Sequence, residues 1–172
     1  IIIPLFKDGK LINCAIRKIS DVGKLKYSLS CPDIGVWGLD DVNVGDEIWI
    51  CEGLFDMMAL RSKGVKAASV SSAAWSGVQL YELMEKNPSK INILCDNDKT
   101  GLRVGKVLSN FFNYFGIQNK TLYCQKYKDA SEAIFENDCS IDVFEVCDIS
   151  SDMIEHKEDS FNFLKYLENR KF

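Results

Sequence analysis

Asp96-Asn97-Asp98 follows the apolar run Ile91-Asn92-Ile93-Leu94-Cys95 and stands just ahead of Gly101. Two carboxylates one residue apart have no use inside a core. Burying an unpaired ionised carboxylate costs on the order of several kcal/mol, and two would also repel each other. The arrangement makes sense where the strand ends at a crevice and a divalent cation neutralises both side chains. Mg²⁺ takes oxygen ligands and commonly shares protein carboxylates with a phosphate-bearing substrate. The alternative is a solvated turn capping a helix, a position that Asp and Asn favour. Taken alone, Asp-x-Asp before a glycine favours the cap.

Two further acidic turns change that balance. Glu47-Ile48-Trp49-Ile50-Cys51 leads into Glu52-Gly53, and Asp56 opens the helical stretch Met57-Met58-Ala59-Leu60. The glycine allows a tight turn from strand to helix. Lys128-Asp129-Ala130-Ser131-Glu132 follows a third apolar run, Thr121-Leu122-Tyr123-Cys124. In an open parallel sheet the strand carboxyl ends line the ligand crevice, so the Glu52, Asp96, Asp98 and Asp129 carboxylates are expected to face one another there.

The periodicity supports such a sheet. From Glu47 the chain reads as strand Glu47–Cys51, helix Phe55–Ser62, strand Ala67–Val70, helix Gln79–Glu85 and strand Ile91–Cys95. Helix Leu102–Phe115, strand Thr121–Cys124 and a short helix Ala130–Phe135 follow. Such alternation implies an α/β fold, a mainly parallel sheet flanked by helices on both faces. Val104, Val107, Leu108, Phe111, Phe112 and Phe115 recur at three- and four-residue spacing and read as core, and Gly116 stops their helix. Before Glu47, short strands broken at Asp8-Gly9 and Val22-Gly23 read as a small antiparallel β subdomain. Residues 31–46 read as loop. The expected division is 1–46, 47–136 and 137–172, the last an acidic extension with Phe161, Phe163, Leu164, Tyr166 and Leu167 on a docking helix or linker.

Glu52-Gly53 with Asp56, then Asp96-x-Asp98-x-x-Gly101, resembles the TOPRIM domain of bacterial-type primases, topoisomerases and some nucleases. Lys128-Asp129-Ala130-x-Glu132 and Trp37-Gly38-Leu39 are similar to the bacteriophage-type primase-helicases and their mitochondrial relatives. Ile3-Pro4-Leu5, Asp8-Gly9-Lys10 and Ile16-Arg17-Lys18 resemble the small subdomain ahead of TOPRIM in those primases. The resemblance spans roughly Ile1 to Glu136 and keeps the full acidic set, parts of which the animal mitochondrial relatives lose.

The resemblance implies a Rossmann-like TOPRIM domain acting as a DNA primase core, a nucleotidyltransferase making short RNA primers on single-stranded DNA. It implies Mg²⁺ or Mn²⁺, two ions, with Asp96 and Asp98 as ligands and Asp129 completing a site. Glu52 is then a ligand or the general base. Arg17, Lys18, Lys128 and Arg103 are the candidates for holding nucleotide or DNA phosphates. Implied partners are the template, nucleoside triphosphates and a replicative helicase. Two other classes stay open: a metal-dependent TOPRIM nuclease, and a non-catalytic domain of a helicase. The basic stretch ahead of Glu52 favours the primase, since small TOPRIM nucleases tend to begin at the Glu strand.

Charge distribution agrees. The net charge is −4, yet residues 1–30 carry six Lys/Arg against Asp8 and Asp21. That end suits phosphate contact; the alternative makes Arg17, Lys18, Lys24 and Lys26 the solvated face of a hairpin. With 172 residues, 47% hydrophobic and 27% charged, the chain has the composition of a soluble domain with one good core. No apolar stretch approaches the roughly 20 residues of a membrane span. Ile1-Ile2-Ile3-Pro4 lacks the basic start of a signal peptide, and the missing initiator Met suggests a piece of a longer protein. Seven scattered cysteines and the single His156 form no zinc motif and read as reduced thiols of an intracellular protein, in the cytoplasm or nucleoid or in a phage-infected cell. Two features have two readings each. The small residues Ser71-Ser72-Ala73-Ala74 admit backbone N–H contacts to phosphate or form an ordinary loop. Trp75 stacks on a base or caps the core.

Overall fold

The structure is a computed structural model that describes residues 1–19, 27–29, 35–70 and 75–147. Val22-Gly23, Lys24, Lys26, the loop at 71–74, His156 and the apolar residues of the tail lie outside the described residues.

Strands β1 (Ile2–Lys7) and β2 (Lys10–Arg17) form an antiparallel hairpin, and β3 (Tyr27–Leu29) pairs with β2. The turn residues Asp8 and Gly9 both take positive φ, 52° and 71°, the backbone that favours Asp-Gly in hairpins. Ile3, Leu5 and Ala15 are buried, whereas Ile2, Phe6 and Ile16 are exposed.

The larger sheet contains β4 (Glu47–Cys51), β5 (Ala67–Ser69), β6 (Lys90–Leu94), β7 (Asn119–Tyr123) and β8 (Glu145–Val146). Their order is β5-β4-β6-β7-β8, parallel except for the antiparallel edge strand β8. Helices α1 (Leu54–Ser62), α2 (Gly77–Met84) and α3 (Lys99–Tyr114) connect them. Side chains alternate across the central strands, so each face acquires its own core. Ile48 and Ile50 of β4, with Ile91 and Ile93 of β6, pack with Leu80 and Leu83 of α2 and with Leu108 and Phe112 of α3. Trp49, Cys51, Leu94 and Leu122 belong to the opposite core, with Leu54 and Leu60 of α1. Ile3, Leu5 and Ala15 of the small sheet join that second core, so the two sheets share buried apolar surface.

Both α2 and α3 begin earlier than their apolar periodicity indicates, because polar caps extend them. Ser76 and Gln79 form a reciprocal capping box ahead of α2, and Asp98 Oδ1 accepts from the Thr100 and Gly101 amides at 2.9 Å ahead of α3. Phe111 and Phe112 are core, but Phe115 is 46% exposed beyond the end of the apolar stripe. The stretch read as loop contributes to the sheet edge: Trp37 exchanges backbone hydrogen bonds with Ser69 at 2.8 and 3.0 Å. Gly38 permits that approach at φ 88°, since a Cβ there would stand 2.2 Å from the Ala67 carbonyl oxygen. Trp75 is 8% exposed within the core that includes Ile50, which matches the capping alternative. The sheet also continues past Glu136, through β8 and the buried Phe144, whose ring meets Trp49 edge-on at 6.3 Å. Among the described residues no helix is long and apolar enough to cross a membrane.

Candidate functional site

Adjacent parallel strands bring the acidic turns together. β4 and β6 pair in register, Cys51 opposite Leu94, so Glu52 and Asp96 emerge at one edge of the sheet. Asp129 reaches the same edge from the loop after β7, and Asp56 from the first turn of α1. Glu52, Asp56, Asp96 and Asp129 line a cavity of about 480 Å³. Two glycines make the convergence possible. A Cβ on Gly53 would stand 2.3 Å from Asp56 Oδ2, and one on Gly101 would stand 2.9 Å from Glu52 Oε1.

Burial and crowding raise the proton affinity of three of these carboxyls, Glu52, Asp56 and Asp96. Burial, with the charges of Asp96, Asp98 and Asp56, raises the Glu52 pKa to about 7. Burial raises Asp56 to about 6, opposed by the hydrogen bond from the Ser131 amide at 2.9 Å. Asp96 is raised by burial as well, against the pull of Lys128. The Lys128 ammonium lies 3.4 Å from Asp96 Oδ2 and 3.9 Å from Asp129 Oδ2, and the Asp96 charge raises its own pKa. Asp129 Oδ1 accepts from Ser131 Oγ and the Glu132 amide, which starts a π-helical turn at Glu132–Glu136. That turn buries Ala133 and Ile134 and presents Phe135 and Glu136 to the cavity.

Basic residues come from two directions. Arg17, at the end of β2, crosses from the small sheet to line the acidic cavity, its guanidinium 5.1 Å from the centroid of the Phe55 ring. Lys128 lines it from the side of β7.

Other expected residues are not gathered there. Asp98 is exposed and does not line the cavity; its Oδ1 caps α3, the alternative weighed from the sequence, although its charge still reaches Glu52. Of the four carboxylates expected at one crevice, Glu52, Asp96 and Asp129 line the cavity, and Asp56 lines it with them. Lys18 is exposed beyond the end of β2, and Arg103 is exposed on α3; neither lines the cavity. Sequence reading named Asp56 within the acidic motif but gave no site role to it or to Phe55, Ser131 and Phe135. The signal for Asp56 was present, since an acid buried in the first turn of an apolar helix needs a reason.

A hard divalent cation fits this donor set by chemistry, because the converging side chains offer carboxylate oxygens. Glu52 Oε1 is buried without a hydrogen-bond partner among the described residues, a group that a cation would satisfy. Among the described residues, however, no three His, Cys, Asp or Glu side chains stand close enough together to hold an ion as they are. The Lys128 ammonium bridges Asp96 and Asp129 instead.

No curated protein matches the chain in sequence. Several solved structures share its fold. A DNA primase domain from Pseudomonas aeruginosa matches with TM-score 0.66 at 23% identity, over 78% of this chain and 46% of that one. The zinc-binding and RNA polymerase domains of the Aquifex aeolicus primase give TM-score 0.66 at 23% identity, over 78% and 36%. A DnaG primase catalytic domain bound to ssDNA gives TM-score 0.65 at 16% identity, over 97% and 50%. The chain thus spans half or less of the length of each, and at these identities the likeness is one of fold. Residues 49–134, half of the sequence and the stretch that carries Glu52, Asp56, Asp96, Asp98 and Asp129, match the Toprim-like family, and the chain belongs to it.

Proposed function

We propose that the chain is the catalytic core of a DNA primase, joining nucleotides into short RNA primers on a single-stranded DNA template with Mg²⁺ or Mn²⁺. The observation that carries this reading is Arg17. The small antiparallel sheet delivers a guanidinium into the acidic cavity, where it is steadied over Phe55. Arg presents a planar fork of donors matched to phosphate. A cavity with carboxylates on one side and a phosphate-binding cation on the other suits a nucleoside triphosphate. A nuclease acting on a bare phosphodiester has less use for the second subdomain.

Glu52, Asp96 and Asp129 are the residues that would hold divalent ions. When bound, such ions neutralise the charge of the reacting phosphate and of the departing pyrophosphate. Glu52, with a pKa of about 7 before any ion binds, suits the acceptance of a proton from an attacking hydroxyl. Asp56 supports the site from below, tying α1 to the Asp129 loop through the Ser131 amide. In this reading residues 1–46 form the part that meets the template, residues 47–136 the catalytic unit, and a replicative helicase is the natural partner. The fold likeness to a primase domain bound to ssDNA supports the template assignment.

The test is primer synthesis by the protein on single-stranded DNA with labelled nucleoside triphosphates and Mg²⁺ or Mn²⁺. The expected result for residues 1–172 is short oligoribonucleotides without strict sequence-directed initiation, since that stretch carries no zinc motif to select a template site. Asp96→Asn should lower that synthesis by about 100-fold or more, the scale of losing one preorganised charge at a phosphoryl-transfer centre. Cleavage of nucleic acid in the absence of triphosphates, abolished by the same substitution, would replace the primase by a nuclease. Synthesis untouched by the substitution would remove the cavity from the mechanism.

A further inference from the structure

We infer that Lys128 is the built-in counter-cation of the acidic site, a side chain whose ammonium must leave Asp96 and Asp129 for a divalent ion to enter. The inference rests on the metal-binding reading of the cavity and adds a residue that controls access to it. Nζ bridges the two carboxylates, 3.4 Å from Asp96 Oδ2 and 3.9 Å from Asp129 Oδ2. An ammonium seated on those oxygens repels a divalent ion entering beside it, so the two cations compete for the carboxylate gap.

The backbone around Lys128 is pinned on both sides. Its N–H donates to Glu132 Oε2 at 2.7 Å, and its carbonyl accepts from the Asn97 amide at 2.7 Å. The main chain is therefore tied both to the Asp96–Asp98 turn and to the π-helical turn. The side chain differs: it is 62% exposed. A long, solvated arm on a fixed base can swing out of the carboxylate gap without any change of fold. Since Lys128 also lines the cavity, the displaced ammonium remains within reach of an anionic group bound there. Ion entry and phosphate capture are then coupled through one side chain, and the cation that neutralises the empty site becomes a ligand for the filled one.

The experiment compares the protein with its Lys128→Met form by Mn²⁺ titration followed by electron paramagnetic resonance, alongside melting in EDTA. The Met form should bind Mn²⁺ roughly tenfold tighter or more, the order expected on removing a unit charge beside a divalent one even at water-like screening. It should melt lower than the parent in EDTA, where Asp96 and Asp129 lose their counter-charge. A second measurement needs no substitution: acylation of Lys128, read by mass spectrometry, should rise at saturating Mg²⁺ as the amine is released. Equal Mn²⁺ affinity in the two proteins, or acylation unmoved by Mg²⁺, overturns the role of Lys128 while leaving the metal site standing. Absence of Mn²⁺ binding by both proteins overturns the metal site and this inference together.

Discussion

Gly101 and Glu52 occupy one another's space: a Cβ at residue 101 would stand 2.9 Å from Glu52 Oε1 and 2.5 Å from the carbonyl oxygen of Asp96. The first turn of α3 thus lies directly against the two acidic turns, and only the absence of a side chain permits it. Alanine is the better helix former by roughly 1 kcal/mol, so propensity alone would make Gly101→Ala stabilising. The backbone contact with Asp96 cannot yield as a flexible side chain would. Gly101→Ala is therefore expected to lose about 1–3 kcal/mol net in urea denaturation, the usual cost of overpacking. A variant as stable as its parent would show that α3 can shift away from the site.

The pH dependence of stability follows from Glu52 and Asp56. Their pKa values rise on folding from 4.5 to about 7 and from 3.8 to about 6. The folded state therefore binds protons more tightly than the unfolded chain at both sites. This contribution is full below the unfolded values and disappears as pH rises through about 6 and 7. In EDTA the melting temperature should fall as pH is raised from about 5 to 8, and Glu52→Gln should flatten the upper part of that fall. A melting temperature rising across the same interval would mean that these carboxyls are solvated in the folded protein.

Asp96 and Asp98 are expected to separate on substitution, although only Asn97 lies between them in sequence. Asp98→Ala removes the α3 cap and should cost about 0.5–2 kcal/mol, whereas Asp98→Asn retains a capping oxygen and should cost little. Asp96→Asn should instead raise the melting temperature in EDTA, because it removes a half-buried charge facing Glu52 and Asp129, and it should weaken Mn²⁺ binding. Thermal melts of the three variants with and without Mn²⁺ decide the matter. An Asp96→Asn protein melting below its parent in EDTA would mean that the attraction of Lys128 for Asp96 outweighs burial and carboxylate repulsion.

Phe144 tests how far the sheet extends. It is 8% exposed, packs edge-on against Trp49 and immediately precedes β8. Phe144→Ala should destabilise the protein by about 3 kcal/mol, the lower end for truncating a buried aromatic. A loss within experimental error would place residues beyond 136 outside the cooperative fold.

The alternation of strands and helices was legible from Glu47 onward because it is a local property: period two or 3.6, punctuated by glycines and acidic turns. Hairpin formation at Asp8-Gly9 was legible for the same reason, since positive φ at two successive residues is written in that dipeptide. Helix starts were misplaced at Gln79 and Leu102 because caps such as Ser76 and Asp98 are polar and lie outside the apolar pattern. The edge strand β8 was missed because two exposed residues, Glu145 and Val146, carry no periodicity to read.

The sequence by itself determined which turns are acidic, and that those turns follow strands, because burying a β-strand forces its charged residues to its ends. Only the tertiary structure decided which acids meet. Parallel register sets Glu52 beside Asp96, Asp98 caps α3 outside the cavity lining, and Asp56 lines the cavity from α1. Likewise only packing between the two sheets carries Arg17 to the site and leaves Lys18 in solvent. The physical reason is that neighbouring residues on a strand or turn point in different directions, so spacing along the chain cannot say which side chain a distant element will find.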